Sequence, residues 1–221
     1  HTEYICSAEE FNQILKRFPA DNCFHLSLVV PYNTGTRIGE TFAIDLSQDV
    51  DFEKHELRIH GQMQKVEKTW YIKPPKYDSY RTIKMGETLE KELKFAIQQR
   101  INKLKYGGAY SKTYLLPDRS IAQIRADIDV PYKEILPLCV KENGALLTPD
   151  SFKYCARIIH YELNNPLFHA HCLRHTHGTI LAENGVNPKT VMERLGHKDI
   201  TTTLQTYTFN TDAMQQTAVD V

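Results

Sequence analysis

The chain has 221 residues, enough for one large or two small domains with a buried core. Hydrophobic residues make up 41% of it and charged residues 24%, and no apolar run approaches the ~20 residues that a membrane span requires. Its five cysteines form no Cys-x-x-Cys pair. We therefore expect no membrane partner, no disulfide framework, and a reducing, cytoplasmic location.

Charge is balanced overall but unevenly distributed. The chain carries 27 Lys and Arg against 27 Asp and Glu. Residues 1–53 contain three basic and nine acidic side chains, whereas residues 54–84 contain eight basic and three acidic ones. A local basic stripe can form a phosphate-binding face on a neutral chain, although an ordinary solvated surface is the simpler interpretation of this asymmetry alone.

Three helices are predicted at the start of the chain. Ser7 and Glu10 form a capping box that predicts a helix over residues 7–17, which Pro19 ends. A second helix is predicted over residues 24–32, and a third over residues 37–45, after the break at Asn33-Thr34-Gly35.

The middle of the chain changes character. Short β-type runs at residues 57–59, 69–72 and 80–83 predict a small antiparallel three-stranded sheet. Apolar residues then recur mostly every four positions from Leu89 to Leu104, which predicts a long helix ended by Gly107-Gly108. Residues 106–147 are predicted to be loops with a short helix near 120–127.

The remainder is predicted to be helical. Thr148-Pro149 is a typical helix start, and that helix should reach about residue 163. Further helices are predicted over residues 171–184, 188–195, 200–206 and 212–221. The predicted fold is therefore mainly α (α+β), with one small sheet.

Four local patterns can carry chemistry. In Thr34-Gly35-Thr36-Arg37-Ile38-Gly39-Glu40, Arg37 lies at a helix N-terminus, which favours an anion, and Glu40 lies one turn further on, able to hold the guanidinium.

In the second pattern, Pro75-Lys76 precedes Ser79-Tyr80-Arg81-Thr82-Ile83 on the predicted hairpin. Lys76 there could be a solvated side chain or a proton donor at a DNA backbone.

The third pattern is His171-Cys172-Leu173-Arg174-His175-Thr176-His177. On a helix, His171, Arg174 and His175 share one face. A zinc site is the rival interpretation, because His169 and Cys172 also lie close in the sequence. Arg174 among the ligands of a cation argues against it. We interpret His175 and His177 as buried residues that hydrogen-bond within the fold.

The fourth pattern is Leu195-Gly196-His197, followed ten residues later by Tyr207. Together, in this order, the four patterns resemble the tyrosine recombinase family, in particular the integrases of phages and conjugative transposons. The resemblance extends from about Ser7 to the end of the chain. The His-x-Leu-Arg-His-Thr and Leu-Gly-His blocks are its most specific parts.

The resemblance implies a catalytic set. Tyr207 would attack a DNA phosphodiester, giving a 3′-phosphotyrosyl link and a free 5′-hydroxyl, with no metal ion or cofactor. Arg37, Arg174 and His197 would bind the phosphate, His171 would assist proton transfer at Tyr207, and Lys76 would protonate the leaving oxygen. Glu40 would support Arg37, and the expected DNA contacts are Lys73, Ser79 and Arg81.

The resemblance also implies partners and domains. Double-stranded DNA is the expected substrate, bound by a homo-oligomer, a tetrameric synapse, in a bacterial or phage setting. Residues 1–221 would be the catalytic domain of a longer protein whose N-terminal core-binding and arm-binding domains are absent from this chain. Residues 207–221 would carry the nucleophile and a C-terminal helix. That helix would dock on a neighbouring protomer, pack on its own domain or fray.

Other functions remain open at this point. A type IB topoisomerase shares the chemistry but relaxes DNA as a monomer. A catalytically inactive DNA-binding relative and a metal-dependent nuclease built on the histidines are further alternatives. The DNA target, and the choice between integration, excision and resolution, are not encoded in these patterns.

Overall fold

A computed structural model describes residues 3–103 and 108–207, together with 215, 216 and 219. Within this part there are eight α-helices: α1 (Ala8–Arg17), α2 (His25–Thr34), α3 (Ile38–Ala43), α4 (Glu87–Lys103), α5 (Pro149–Glu162), α6 (Cys172–Glu183), α7 (Pro188–Leu195) and α8 (Ile200–Tyr207). The strands are β1 (Val50–Asp51), β2 (Glu56–Ile59), β3 (Gln62–Val66), β4 (Thr69–Lys73), β5 (Arg81–Lys84), β6 (Ser111–Leu115), β7 (Ile121–Arg125) and β8 (Lys133–Ile135). The predicted mainly α fold with a small three-stranded antiparallel sheet is confirmed.

Helix boundaries follow the capping residues. Ser7 accepts from the Glu10 amide at 3.1 Å while Glu10 accepts from the Ser7 amide at 2.8 Å, so the predicted capping box is confirmed. Thr148 is the N-cap of α5, with Pro149 at its first position, as predicted. The predicted helix over 212–221 lies mostly outside the described residues.

Helix α2 lies at the centre of the molecule. Leu28, Val29 and Val30 are all buried, and the helix packs against α3, α4 and α6. A helix that is apolar on all sides is typical of such a position. The turn after α2 and the start of α6 are therefore held by the same core.

Strand membership differs from the prediction. The three-stranded sheet has the order β1-β2-β5, whereas β4 pairs with β3 in a separate hairpin. The prediction that residues 69–72 join the same sheet as 57–59 and 80–83 is wrong. The chain reverses between Val66 and Thr69, which directs β4 back along β3, with Met63 opposite Ile72.

The region between α4 and α5 also differs. The helix predicted near residues 120–127 is wrong, because residues 121–125 form β7 in a second three-stranded sheet of order β7-β6-β8. Ile121 and Ile124 have helix-like spacing, but Ile121 pairs with Leu115 and Arg125 with Ser111 across an antiparallel ladder. Among the described helices, none is long and apolar enough to cross a membrane.

Candidate active site

Four segments that are distant in the sequence meet at one cavity of about 320 Å³. They are the turn between α2 and α3, the loop between β4 and β5, the start of α6, and the loop between α7 and α8 together with α8. The cavity is lined by five of the six side chains predicted to act on DNA: Arg37, Lys76, His171, Arg174 and His197.

Arg174 lies at the base of this cavity and is only 2% exposed. Its Nη1 donates to the carbonyls of Gly35, at 2.6 Å, and Leu195, at 2.7 Å. Its Nη2 is buried and has no hydrogen-bond partner, which holds for no other buried side-chain nitrogen or oxygen in the part of the chain described. Burial and the nearby Arg37 charge lower the pKa of Arg174 to about 9, so it stays charged at neutral pH. A buried guanidinium with one unused donor is suited to an anion.

Arg37 is the N-cap residue of α3 and faces the same cavity. Its Nη1 donates to Glu40 Oε1 at 2.9 Å and its Nη2 to the Gly196 carbonyl at 3.1 Å. Glu40 is 1% exposed. Burial alone would raise the pKa of Glu40, but hydrogen bonds and charge from Arg81 and Arg37 lower it. Glu40 therefore holds Arg37 as an ionised carboxylate.

Arg81 is hydrogen-bonded to several protein acceptors. Its Nε donates to the Arg194 carbonyl, Nη1 donates to Glu40 and to the Ser79 carbonyl, and Nη2 donates to Glu40. The side chain is 8% exposed. The guanidinium is buried and engaged by protein acceptors, and contact of Arg81 with DNA stays a prediction. Arg81 thus donates to both oxygens of the Glu40 carboxylate.

Two glycines allow the loops around the cavity to approach closely. Gly35 has a φ of 70°, and a Cβ there would lie 2.2 Å from Leu195 Cδ2. Gly196 has a φ of 68°, and a Cβ there would lie 2.8 Å from Arg81 Nη1. Both positions combine left-handed backbone with contact too close for a side chain. The glycines bring the carbonyls that position Arg37 and Arg174 to one place.

The two predicted catalytic histidines are neutral in this environment. Burial, followed by the charges of nearby basic groups, lowers the pKa of His171 to about 3 and that of His197 to about 4. The Nδ1 of His197 is hydrogen-bonded to the hydroxyl of the buried Thr203 at 2.7 Å. That bond leaves Nε2 as the nitrogen able to meet a phosphate.

His175 and His177 lie in different places. His175 lines the cavity, where its Nδ1 lies 2.8 Å from Glu3 Oε2 and its ring meets the edge of His171 at 4.6 Å between centroids. His177 is buried, bonded to the Tyr32 carbonyl and accepting from Arg194 Nε at 3.0 Å. The interpretation as a buried hydrogen bonder therefore fits His177, whereas His175 is a cavity residue that sequence reasoning missed.

The loop between β4 and β5 brings one lysine into the cavity. Lys76 lines the cavity, whereas Lys73 does not. The Nζ of Lys73 lies 5.8 Å from the centroid of the Tyr71 ring. Ser79 donates to the Lys76 carbonyl at 2.9 Å and accepts from Arg37 Nη1 at 3.4 Å. Ser79 thus links the lysine loop to Arg37. Contacts of Lys73 and Ser79 with DNA stay predictions.

Tyr207 is not brought together with the other residues. Its hydroxyl donates to the Val186 carbonyl, and burial raises the pKa of the phenol. Helix α8 presents Thr202, Gln205 and Thr206 to the cavity. Those positions share one helical face, so a residue that continues the same helix immediately after Thr206 points elsewhere. In this arrangement the phenol lies outside the cavity.

A metal site was the rival interpretation of the histidine-rich segment. Across residues 3–103, 108–207 and the three described positions beyond, no group of three or more His, Cys, Asp or Glu side chains is arranged to hold a metal ion. Cys172 is buried in the core and His177 is turned toward Tyr32. Cys172 and His177 thus lie outside the cavity that His171 and His175 line.

Comparison with known proteins gives concordant matches. A tyrosine recombinase XerC-like protein of Caldanaerobacter subterraneus subsp. tengcongensis is 28% identical over 225 residues, covering 97% of this chain and 52% of that protein. The transposase from transposon Tn916 of Enterococcus faecalis is 26% identical over 210 residues, covering 92% of this chain and 47% of that protein. The chain spans about half the length of these curated relatives.

Solved structures share the fold. The Tn1549 transposon integrase in complex with a circular intermediate DNA has a TM-score of 0.74 at 21% identity, covering 100% of this chain and 66% of that chain. The XerA recombinase has a TM-score of 0.64 at 20% identity, covering 100% of this chain and 64% of that chain.

The model of the phage integrase family matches residues 6–214. The chain therefore belongs to the phage integrase family, whose members named above are tyrosine recombinases and transposon integrases.

Proposed function

We propose that this chain is the catalytic part of a site-specific DNA recombinase, an integrase that cleaves and rejoins double-stranded DNA through a covalent bond to Tyr207. The observation that carries the proposal is the buried, unpartnered Nη2 of Arg174 in a cavity shared with Arg37. Two fixed guanidiniums at one site favour a phosphate, because each can offer paired donors to its oxygens. Membership of the family supplies the reaction class.

The chemical step is a transesterification at phosphorus. The Tyr207 oxygen forms a bond to the phosphorus as the bond to the 5′-oxygen breaks, which leaves a 3′-phosphotyrosyl link and a 5′-hydroxyl. The phenol proton passes to a base, and we assign this role to His171 because it lines the cavity and an uncharged imidazole has a ring nitrogen that can accept a proton. Lys76 supplies a proton to the departing oxygen. The phosphotyrosyl bond replaces the phosphodiester bond that breaks and keeps its bond energy, so a second strand can be joined without ATP.

Arg37, Arg174 and His197 stabilise the transition state. Negative charge accumulates on the non-bridging oxygens as the phosphorus becomes five-coordinate, and fixed cations and N–H donors aimed at it lower the barrier. Arg174 is held by the Gly35 and Leu195 carbonyls and Arg37 by Glu40 and the Gly196 carbonyl, so neither needs to reorganise. This preorganisation is the contribution of the glycine-bounded loops.

Tyr207 must leave the Val186 carbonyl before it can attack. A phenol has a pKa near 10, and its burial here raises that pKa further. We propose that DNA binding draws the last turn of α8 into the cavity, where the cations favour the phenolate. The resting arrangement then protects the nucleophile from side reactions.

The partners follow from the relatives. The Tn1549 integrase was solved in complex with DNA, and the XerH recombinase was solved bound to a difH substrate. We propose that this chain likewise acts on double-stranded DNA, as a tetrameric synapse in the cytoplasm of a bacterium. Assembly through the segment after Tyr207 is part of the proposal.

A nicked suicide substrate tests the function. The relevant site is unknown, so the probe is a library of nicked duplexes taken from the ends of integrative elements. We expect a denaturation-resistant protein–DNA adduct in the presence of EDTA, and none with Tyr207→Phe. An adduct that persists in Tyr207→Phe would refute the nucleophile. Activity that is lost in EDTA and restored by zinc would support a metal nuclease instead.

A second candidate has its own support. The placement of Tyr207 on Val186, outside the cavity, favours a DNA-binding relative that does not cleave. The same library separates the two, because salt-sensitive binding of the duplexes without adduct formation would identify that relative. Relaxation of plasmids that lack any recombination site would point to a topoisomerase.

A further inference from the structure

Tyr77 is an exposed aromatic residue at the edge of the cavity. Its side chain is 58% exposed and lines the cavity beside Lys76. The centroid of its ring lies 5.0 Å from Lys76 Nζ and 5.9 Å from Lys198 Nζ. The ring thus touches the lysine of its own loop and the lysine that follows His197 in the loop between α7 and α8.

The backbone at this position is unusual for a tyrosine. Tyr77 has φ 62° and ψ 27°, and the next residue, Asp78, has φ 50°. Left-handed backbone is easily adopted by glycine or asparagine, and a bulky residue there is an outlier. Backbone conformation therefore does not account for a tyrosine at position 77. The contacts of its ring, rather than its backbone, are the feature of Tyr77 that bears on the cavity.

The charged groups around the ring make these contacts. Lys76 shares the cavity with Arg37 and Arg174, and Lys198 lies close by. Like charges repel, so a flexible lysine would spend its time in solvent, away from the two guanidiniums. The negative face of an aromatic ring attracts an ammonium group within about 6 Å of its centroid. The Tyr77 ring thus offers the Lys76 ammonium a cation–π contact in place of an ion pair with a carboxylate.

We propose that Tyr77 is a positioning residue that keeps the Lys76 ammonium at the cavity, ready to protonate the departing 5′-oxygen. This inference rests on the function proposed above, in which Lys76 is the acid. Tyr77 acts only through Lys76. Its loss should therefore affect the reaction only when the leaving group needs a proton.

Two substitutions separate the ring from the backbone. Tyr77→Phe keeps the aromatic face, and Tyr77→Asn removes it while tolerating left-handed backbone. Tyr80→Asn is the matched control, because Tyr80 belongs to the same loop and is 57% exposed but does not line the cavity. Single-turnover cleavage is measured at saturating DNA with suicide substrates whose bridging 5′ atom is oxygen or sulfur. A thiolate leaves without protonation.

We expect Tyr77→Asn to slow cleavage of the oxygen substrate about two- to fivefold, the range expected for one partly exposed cation–π contact. Cleavage of the sulfur substrate should be unchanged. Tyr77→Phe and Tyr80→Asn should cleave both substrates at the rate of the unmodified chain. Equal slowing on both substrates, or none on either, would overturn the role of Tyr77. If the unmodified chain forms no adduct with either substrate, the proposed function itself fails.

Discussion

Arg81 holds Glu40 through two parallel hydrogen bonds, Nη1 to Oε1 at 3.1 Å and Nη2 to Oε2 at 2.9 Å. Strand β5 supplies the arginine and helix α3 the carboxylate. The same carboxylate accepts from Arg37, which faces the cavity. A guanidinium that faces the cavity is therefore supported by a second guanidinium through one shared, buried acid.

Replacing Arg81 by Met should destabilise the fold, because it leaves Glu40 with one partner in a buried site. Breaking a buried ion pair costs about 3–5 kcal/mol. The free energy of unfolding in urea measures this loss. The control is Arg125→Met, whose ion pair with Asp127 is largely exposed, and it should change the free energy of unfolding little. Equal effects of the two substitutions would contradict the structural role of Arg81.

Inorganic phosphate should raise the melting temperature of the chain. The unpartnered Nη2 of Arg174 gains an acceptor when an anion enters the cavity. A ligand at ten times its Kd stabilises the folded state by about 1.4 kcal/mol. Thermal melts in phosphate, with chloride at equal ionic strength as reference, measure the shift. Arg174→Gln should abolish the difference between the two salts, and a difference that survives this substitution would place the anion elsewhere.

Stability should fall on the acid side of neutrality. Burial lowers the pKa of His177 and of His197 to about 4. The unfolded chain, in which histidine titrates near pH 6.5, therefore binds more protons than the folded one. Stability is fully present above about pH 6.5 and is lost as the pH falls toward 4, by at most about 1.4 kcal/mol per pH unit for each histidine.

Urea unfolding between pH 7 and 4 tests this dependence. His177 is the more buried of these two histidines, bonded to the Tyr32 carbonyl and to Arg194. His177→Gln preserves a donor and an acceptor but cannot titrate. We expect this variant to show a shallower decline with falling pH than the unmodified chain. An identical slope would mean that His177 does not contribute to it.

Lys76 and Lys73 should differ in what their loss changes. Lys76 lines the cavity, whereas Lys73 does not. Lys76→Ala should slow cleavage, and a 5′-bridging sulfur should restore most of the rate. Lys73→Ala should weaken DNA binding and reduce its salt dependence without changing the rate at saturating DNA. If Lys76→Ala cleaves the oxygen substrate at the normal rate, the proton donor is another group.

The last turn of α8 should control access of the nucleophile. Leu204 lies in this turn, is 42% exposed and does not line the cavity. Leu204→Gly lowers helix propensity by up to about 1 kcal/mol, whereas Leu204→Ala favours the helix. We expect the glycine variant to cleave up to about fivefold faster in a single turnover and the alanine variant not to gain. Faster cleavage by both, or by neither, would show that unwinding is not limiting.

The sequence predicted the helices and the cavity residues well because both depend on local patterns. Ser7 with Glu10 and Thr148 with Pro149 mark helix starts through contacts within four residues. Among the predicted residues that line the cavity, Arg37 and His171 are helix N-cap residues and His197 follows Gly196 in a loop. Their roles in catalysis stay predictions.

What could not be predicted depends on pairing between distant segments. Apolar and polar residues alternate poorly over residues 62–66, and this segment is a strand because β4 pairs with it. Ile121 and Ile124 have helical spacing, and only the ladder with β6 makes that segment a strand. The burial of Arg81 depends on Glu40, 41 residues away. A charged side chain looks solvent-exposed in a sequence until its partner is located.

The buried guanidinium of Arg174 has a consequence for the whole molecule. The free energy of removing it from water is spent during folding, before any phosphate arrives. A protein selected for durability alone would place an apolar side chain there. Its presence means that the empty catalytic domain is less robust than its core would permit. Under the proposed function, a DNA phosphate that occupies the cavity would stabilise the folded chain.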